Sequence, residues 1–200
     1  MKLFWSSRSP FARKVMVAAH EGGLADAIER IPVAIPTPEP HAELNRANPI
    51  AKLPTLVTDD GLVIAGSPVI CEYLDGLGQA GLFPADRPAR WRALSRQAMA
   101  DGMLDMLLLW RADLRRPDAC QSPRQQAIYR TRLAQTLDRF DAEATSDHGF
   151  DIGDLTTGVF LSYLDFRFAD DDWRDGRPAL RHTYECFAAR PSAQATGFDG

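Results

Sequence analysis

The hydrophobic rhythm of the chain changes partway along. Up to about residue 78, short apolar runs alternate with helix-spaced stretches; beyond it only helical spacing is found. Residues 3–5 form a short apolar run that reads as a strand. The spacing predicts a helix over 10–21, with proline in its first turn and Gly22-Gly23 as its stop. Ile31, Val33 and Ile35 alternate with other residues, which marks a second strand. Prolines crowd a loop at 36–40, and a short polar helical stretch then ends near Asn48-Pro49. Residues 55–58 and 62–64 are apolar runs on either side of Asp59-Asp60-Gly61, the pattern of a hairpin. Ser67-Pro68 opens another helix, with Ile70, Tyr73, Leu74 and Leu77 at helical spacing.

The order strand, helix, strand, short helix, hairpin, helix packs most economically as a layered α/β domain over 1–78. A Gly- and Pro-rich stretch makes 79–87 a linker, and 88–200 is expected to be an all-helical bundle. A long helix carrying Trp91, Leu94, Ala98 and Leu108 runs to about residue 115. A second covers 123–144 on Ile128, Leu133, Leu137 and Phe140, a third starts at Asp151, and a fourth spans 178–189. Asp151 sits at an N-cap, with Asp154 at the reciprocal capping-box position and Phe150 and Leu155 at the staple positions.

Composition narrows the function. The 200 residues are 45% hydrophobic and 25% charged, which suits a folded core with a soluble surface. The net charge is -4, and Lys2, Lys14 and Lys52 are the only lysines, so no phosphate-tracking patch exists and no nucleic-acid partner is expected. The start turns polar at Ser6 without a signal-peptide core, and no apolar run is long enough to span a bilayer. A cytoplasmic location without membrane attachment is the expectation. Cys71, Cys120 and Cys186 have no paired spacing, and His20, His41, His148 and His182 have no ligand spacing. Neither a disulfide framework nor a metal is expected.

Candidate chemistry starts with two Ser-Pro pairs. Ser9-Pro10 and Ser67-Pro68 each place serine at an N-cap and proline at the first helical position. Helix N-termini gather unpaired N–H groups and suit anions, so two such ends in one domain can hold two negative groups of one ligand. Each serine alone is better explained as a plain cap; the two together, with the segment between them, change the balance. Between them lies Asn48-Pro49-Ile50-Ala51-Lys52-Leu53-Pro54-Thr55-Leu56. Proline before a hairpin strand is compatible with a cis peptide that exposes the preceding backbone to an extended peptide, but spacing does not fix the isomer and by itself favours trans, the commoner form.

Taken together, Ser9-Pro10-Phe11-Ala12-Arg13, Asn48-Pro49, Lys52-Leu53-Pro54 and Ser67-Pro68-Val69-Ile70 with Tyr73-Leu74 resemble the N-terminal domain of cytosolic glutathione transferases, nearest to bacterial, omega- and zeta-like members. Ala100-Asp101-Gly102, the cap at Asp151 and Asp154, and the ending Ala189-Arg190-Pro191-Ser192 extend the resemblance over nearly the whole chain. The resemblance implies a thioredoxin-like first domain, a helical second domain, glutathione as co-substrate and a homodimer. It implies a cis bond at Pro54, with Leu53 bonding the cysteinyl backbone of glutathione. Ser67 would take the γ-glutamyl carboxylate, Lys52 would reach the glycyl carboxylate, and Ser9 would occupy the catalytic position. With Arg13 one turn on, the Ser9 hydroxyl would favour the ionised thiol. Because Ser9 is not cysteine, a mixed disulfide there is excluded.

The chain departs from the family at Gly66, where an acid usually precedes the carboxylate-binding serine. Asp101 of the partner subunit is the candidate replacement, although Asp101 and Asp105 also read as an exposed acidic face. The pocket for a small apolar electrophile is expected between the domains, lined by Phe11 and by Met99, Met103, Met106 and Trp110; the same spacing also describes core. The expected activity is glutathione conjugation, or a related peroxidase or dehalogenase reaction. The rivals are a non-enzymatic interaction protein that keeps the fold, and a glutathione-dependent isomerase, whose Ser-Ser-Cys start is broken by Ser6-Ser7-Arg8.

Overall fold

A computed structural model of the chain describes residues 1–34, 41–144, 149–170 and 172–199. The expected loop at 36–40, Ile35 of the second strand and His148 lie outside the described residues. Strands β1 (Lys2–Trp5), β2 (Glu29–Pro32), β3 (Thr55–Val57) and β4 (Val63–Ala65) form one mixed sheet in the order β2-β1-β3-β4. β1 runs parallel to β2, as the intervening helix requires, and antiparallel to β3; β3 and β4 are the predicted hairpin.

The register explains the two faces. Leu3 pairs with Leu56 and Leu56 with Ile64, so these three share one face of the sheet, and all are buried. Phe4 points the other way. It clusters with Val33 and Leu44, and with the half-buried Ile31, Ala47, Leu53 and Val57.

Helices α1 (Pro10–Glu21), α2 (Ala42–Ala47) and α3 (Ser67–Gly78) complete this unit. Gly23 carries a φ of 66° just beyond α1, the left-handed turn that its glycine was expected to supply. α1 and α3 come very close at Gly22 and Gly78, where a Cβ on Gly78 would stand 2.5 Å from the Gly22 carbonyl oxygen. On α3 the buried stripe is Ile70, Cys71 and Leu74, while Leu77, expected on it, is 52% exposed.

The helical unit contains α4 (Arg87–Leu114), α5 (Pro123–Glu143), α6 (Ile152–Arg167) and α7 (Pro178–Ala188). α4 packs on α5 and α6, and α7 on α5 and α6. α6 is buried nearly throughout, from Ile152 to Leu164. Its glycines permit this: a Cβ on Gly153 would lie 2.8 Å from the Ala93 carbonyl of α4, and one on Gly158 would lie 2.2 Å from the Phe187 ring of α7. On α5 the stripe is Tyr129, Leu133, Leu137 and Phe140. Ile128 is 43% exposed instead, because one residue turns a helix by about 100° and Tyr129 takes the inward position. Trp91, read as part of the apolar stripe of α4, is also exposed.

The chain divides into two units, one of Met1–Pro84 with the residues from Arg190 onward, the other of Ala85–Ala189. The last residues, grouped with the helical domain by the sequence, therefore belong with the α/β unit. They include the short helix α8 (Pro191–Gln194), which packs on α1.

Candidate functional site

Topology brings three segments to one end of the sheet. Phe4 near the end of β1 pairs with Thr55 at the start of β3, and Thr55 pairs with Ala65 at the end of β4. Ser9 lies just past β1, Pro54 just before β3, and Gly66-Ser67 just past β4. Residues far apart in sequence thus share one edge for a purely topological reason.

Ser9 is the N-cap of α1. Its backbone is extended, and its hydroxyl oxygen accepts from the Ala12 N–H at 3.3 Å. The residue is 6% exposed. A hydroxyl has one donor and two acceptor positions, and among the described residues nothing accepts the Ser9 proton. Arg13 is buried and turned elsewhere: its Nη2 donates to the Ala193 carbonyl at 3.3 Å and its guanidinium lies 4.6 Å from the Phe198 ring centre.

The segment before β3 is organised by Asn48, a role that sequence reasoning missed. Its Nδ2 donates to the Thr55 hydroxyl at 2.9 Å and to the Lys52 carbonyl at 3.3 Å, and its Oδ1 accepts from the Ile50 N–H. Thr55 donates to the same Lys52 carbonyl at 2.9 Å. Asn48 is 5% exposed. The signal was available, since asparagine before proline initiates turns by bonding its own backbone neighbours. The Leu53–Pro54 bond is cis, Leu53 packs against the Phe4 cluster, and the Lys52 side chain is exposed.

At α3 the structure corrects the sequence. Ser67 is not the N-cap but the first helical residue; Gly66 holds the cap position with a φ of 89°. Glycine alone takes that backbone readily, so the cap shifts one residue upstream. Ser67 is buried, its hydroxyl has no hydrogen-bond partner among the described residues, and the first-turn N–H groups around it have no intrahelical acceptor.

The remaining candidates separate. His41 caps α2, accepting from the Leu44 N–H through Nδ1 at 3.2 Å, and its ring meets Phe4 edge-on. Asp101 is half-buried on α4, with Asp105 exposed four residues later. Met103 and Trp110, weighed as pocket residues, belong to the core of the helical unit; Met99 is half-buried and Met106 exposed. Among the described residues no group of three or more His, Cys, Asp and Glu side chains is placed to hold a metal, and no helix is long and apolar enough to cross a membrane.

Fold and site define a thioredoxin-like α/β domain joined to an all-helical domain. Residues 8–77 match the family model described as glutathione S-transferase, N-terminal domain. The chain is similar to a glutathione transferase family member from Pseudomonas fluorescens Pf-5 solved with bound glutathione, at 35% identity over 100% of this chain and 99% of that one, with a TM-score of 0.93. A structure from the same organism with bound S-(propanoic acid)-glutathione matches at 34% identity over the whole of both chains, with a TM-score of 0.90. An uncharacterized GST-like protein, YibF of Escherichia coli strain K12, is 29% identical over 98% of each chain. The chain belongs to the glutathione transferase family.

Proposed function

We propose that this protein binds glutathione at the sheet end shared by Ser9, Leu53-Pro54 and Ser67, and activates its thiol for attack on a small apolar electrophile or a peroxide. The observation that carries the reading is the convergence of those three segments on one edge, with the Ser9 hydroxyl proton and the Ser67 hydroxyl left over for a ligand. The Leu53 backbone would pair with the cysteinyl unit. Ser67, its neighbouring N–H groups and the exposed Lys52 would take the two carboxylates.

The Ser9 hydroxyl would donate a hydrogen bond to the sulfur, keeping its own proton, while the thiol proton leaves to solvent. A hydrogen bond to a charged group contributes about 1.5–3 kcal/mol, which lowers a thiol near about 8.5 by about one to two pH units. A large fraction of the bound thiol would then be thiolate at neutral pH. On a carbon electrophile the thiolate forms a carbon–sulfur bond as the leaving group departs with its electron pair. On a peroxide it forms a sulfur–oxygen bond as the O–O bond breaks and the alkoxide leaves, the peroxide being reduced and the sulfur oxidised to a sulfenic acid. Binding both partners together supplies the remaining rate through proximity. The relative with S-(propanoic acid)-glutathione carries its substituent on the same sulfur, which supports this as the reacting atom.

A homodimer fits an open groove of about 500 Å³ over β4 and α3, lined by Leu62, Val63, Val69 and Tyr73; Leu62 and Val69 are more than half exposed. In such a dimer the partner's copy of Asp101 would replace the carboxylate that Gly66 lacks. A cytoplasmic location accords with use of an intracellular thiol.

Retention on glutathione-agarose and calorimetric titration with glutathione test the reading. Binding at micromolar to millimolar affinity is expected. Absence of retention, together with no thermal shift at millimolar glutathione, would instead make the chain a non-enzymatic member of its family.

A further inference from the structure

The C-terminal segment engages α1 at both of its ends. At the far end stands Glu21, the last residue of the helix, where a carboxylate faces the negative end of the helix dipole. It is held there by a two-pronged ion pair: Arg190 Nε donates at 2.8 Å and Nη2 at 2.6 Å, and the Ser192 hydroxyl donates to the same carboxylate. Toward the near end, Arg13 donates to the Ala193 carbonyl and stacks on Phe198. The Arg13 backbone N–H in turn bonds the Ser9 carbonyl at 3.0 Å. Arg13 thus sits at the junction of the two, its side chain on the C-terminal segment and its backbone in the first helical turn that Ser9 caps.

The two attachments stand eight residues apart on a helix of twelve, about 12 Å, and add to the packing on α3 in restraining its sliding and its rotation, the motions that would misaim a cap hydroxyl. A single attachment would leave rotation about the contact. Fold stability alone would be met by apolar packing, but this segment uses a charged fork and a guanidinium–ring contact, which fix direction as well as distance. We propose that residues 190–199 are a clamp on α1 that positions the Ser9 hydroxyl, with Arg190, Glu21, Arg13 and Phe198 as positioning residues. This rests on the reading of Ser9 given above.

The test uses full-length Phe198→Ala, Glu21→Gln and the charge swap Glu21→Arg with Arg190→Glu, each also made in a Ser9→Ala background. Glutathione affinity is measured by calorimetry, and kcat and KM with an aryl halide. With Ser9 present, the single variants are expected to lose about tenfold in kcat with KM for glutathione within about threefold, since small misplacements act on the reacting geometry. The swap is expected to recover most of the loss relative to Glu21→Gln. Without the Ser9 hydroxyl the clamp variants are expected to change kcat less than about twofold, because there is nothing left to aim. Equal losses in both backgrounds, or lowered melting temperatures with unchanged kcat, would overturn the clamp. If wild type itself fails to bind glutathione, the site reading falls first, and that outcome is distinct from binding without coupling.

Discussion

Asp151 serves two helices at once. Its Oδ1 caps α6 through the Gly153 and Asp154 N–H groups at 2.8 and 3.1 Å, while its Oδ2 takes a 2.6 Å ion pair from Arg96 of α4. Asp154 completes the box by accepting from the Asp151 N–H at 3.1 Å. Removing a cap alone costs about 1 kcal/mol, and losing the short charged hydrogen bond to Arg96, which keeps only a 3.5 Å contact to Asp154, costs about 2 kcal/mol more. Asp151→Ala is therefore expected to lose about 3 kcal/mol in urea unfolding, and Asp151→Asn, which keeps much of the cap, clearly less. A loss near 1 kcal/mol for Asp151→Ala would mean that the pair to Arg96 contributes nothing.

Ser9→Ala separates chemistry from folding. The cap bond is long at 3.3 Å, so stability is expected to fall by only about 1 kcal/mol. The rate of glutathione conjugation is expected to fall by about one to two orders of magnitude, from the lost hydrogen bond to the thiolate, with glutathione affinity changed only modestly. Rates equal to wild type across aryl halides, epoxides and hydroperoxides would leave Ser9 as a cap only.

Gly66→Glu sets a family feature against local geometry. At a φ of 89° a side chain is strained by about 1–3 kcal/mol. No described atom blocks the new Cβ, the nearest being the Pro68 ring carbon at 4.0 Å. The melting temperature should drop while glutathione affinity rises, as a carboxylate becomes available to the ligand's ammonium group. Unchanged affinity would argue that the acid is already supplied by another residue.

Glu21 gives the pH dependence its sign. The hydrogen bond from Arg190, opposed by burial and reinforced by Ser192, holds its carboxyl below the usual value of about 4.3. The unfolded chain therefore binds this proton first. The contribution is complete above the ordinary value and is lost as pH falls through the lower folded one. Glu21→Gln should flatten the decline of melting temperature with acidification between about pH 5 and pH 3. An identical decline in both proteins would show that other carboxylates govern it.

Much of this was legible in the residues. The bounds of α1, the hairpin across Asp59-Asp60-Gly61 and the capping box of α6 follow from local chemistry: proline and glycine at helix ends, a turn between apolar runs, and acids three apart. The cap at α3 was misread by one residue because serine and glycine both serve there, and only the observed backbone chooses between them.

What the sequence by itself determined was the list of elements and the residue types at their ends, because caps, turns and hydrophobic period are short-range effects. Tertiary structure alone decided which stripe faced inward on α5, that Arg13 turned to Ala193 and Phe198, and that the final residues joined the α/β unit. Those outcomes depend on contacts between separate elements, from Trp110 with Tyr129 in the helical unit to Glu21 with Arg190, more than a hundred positions apart. No local pattern encodes such a pairing; it exists only once the sheet and the helices have brought its two halves together.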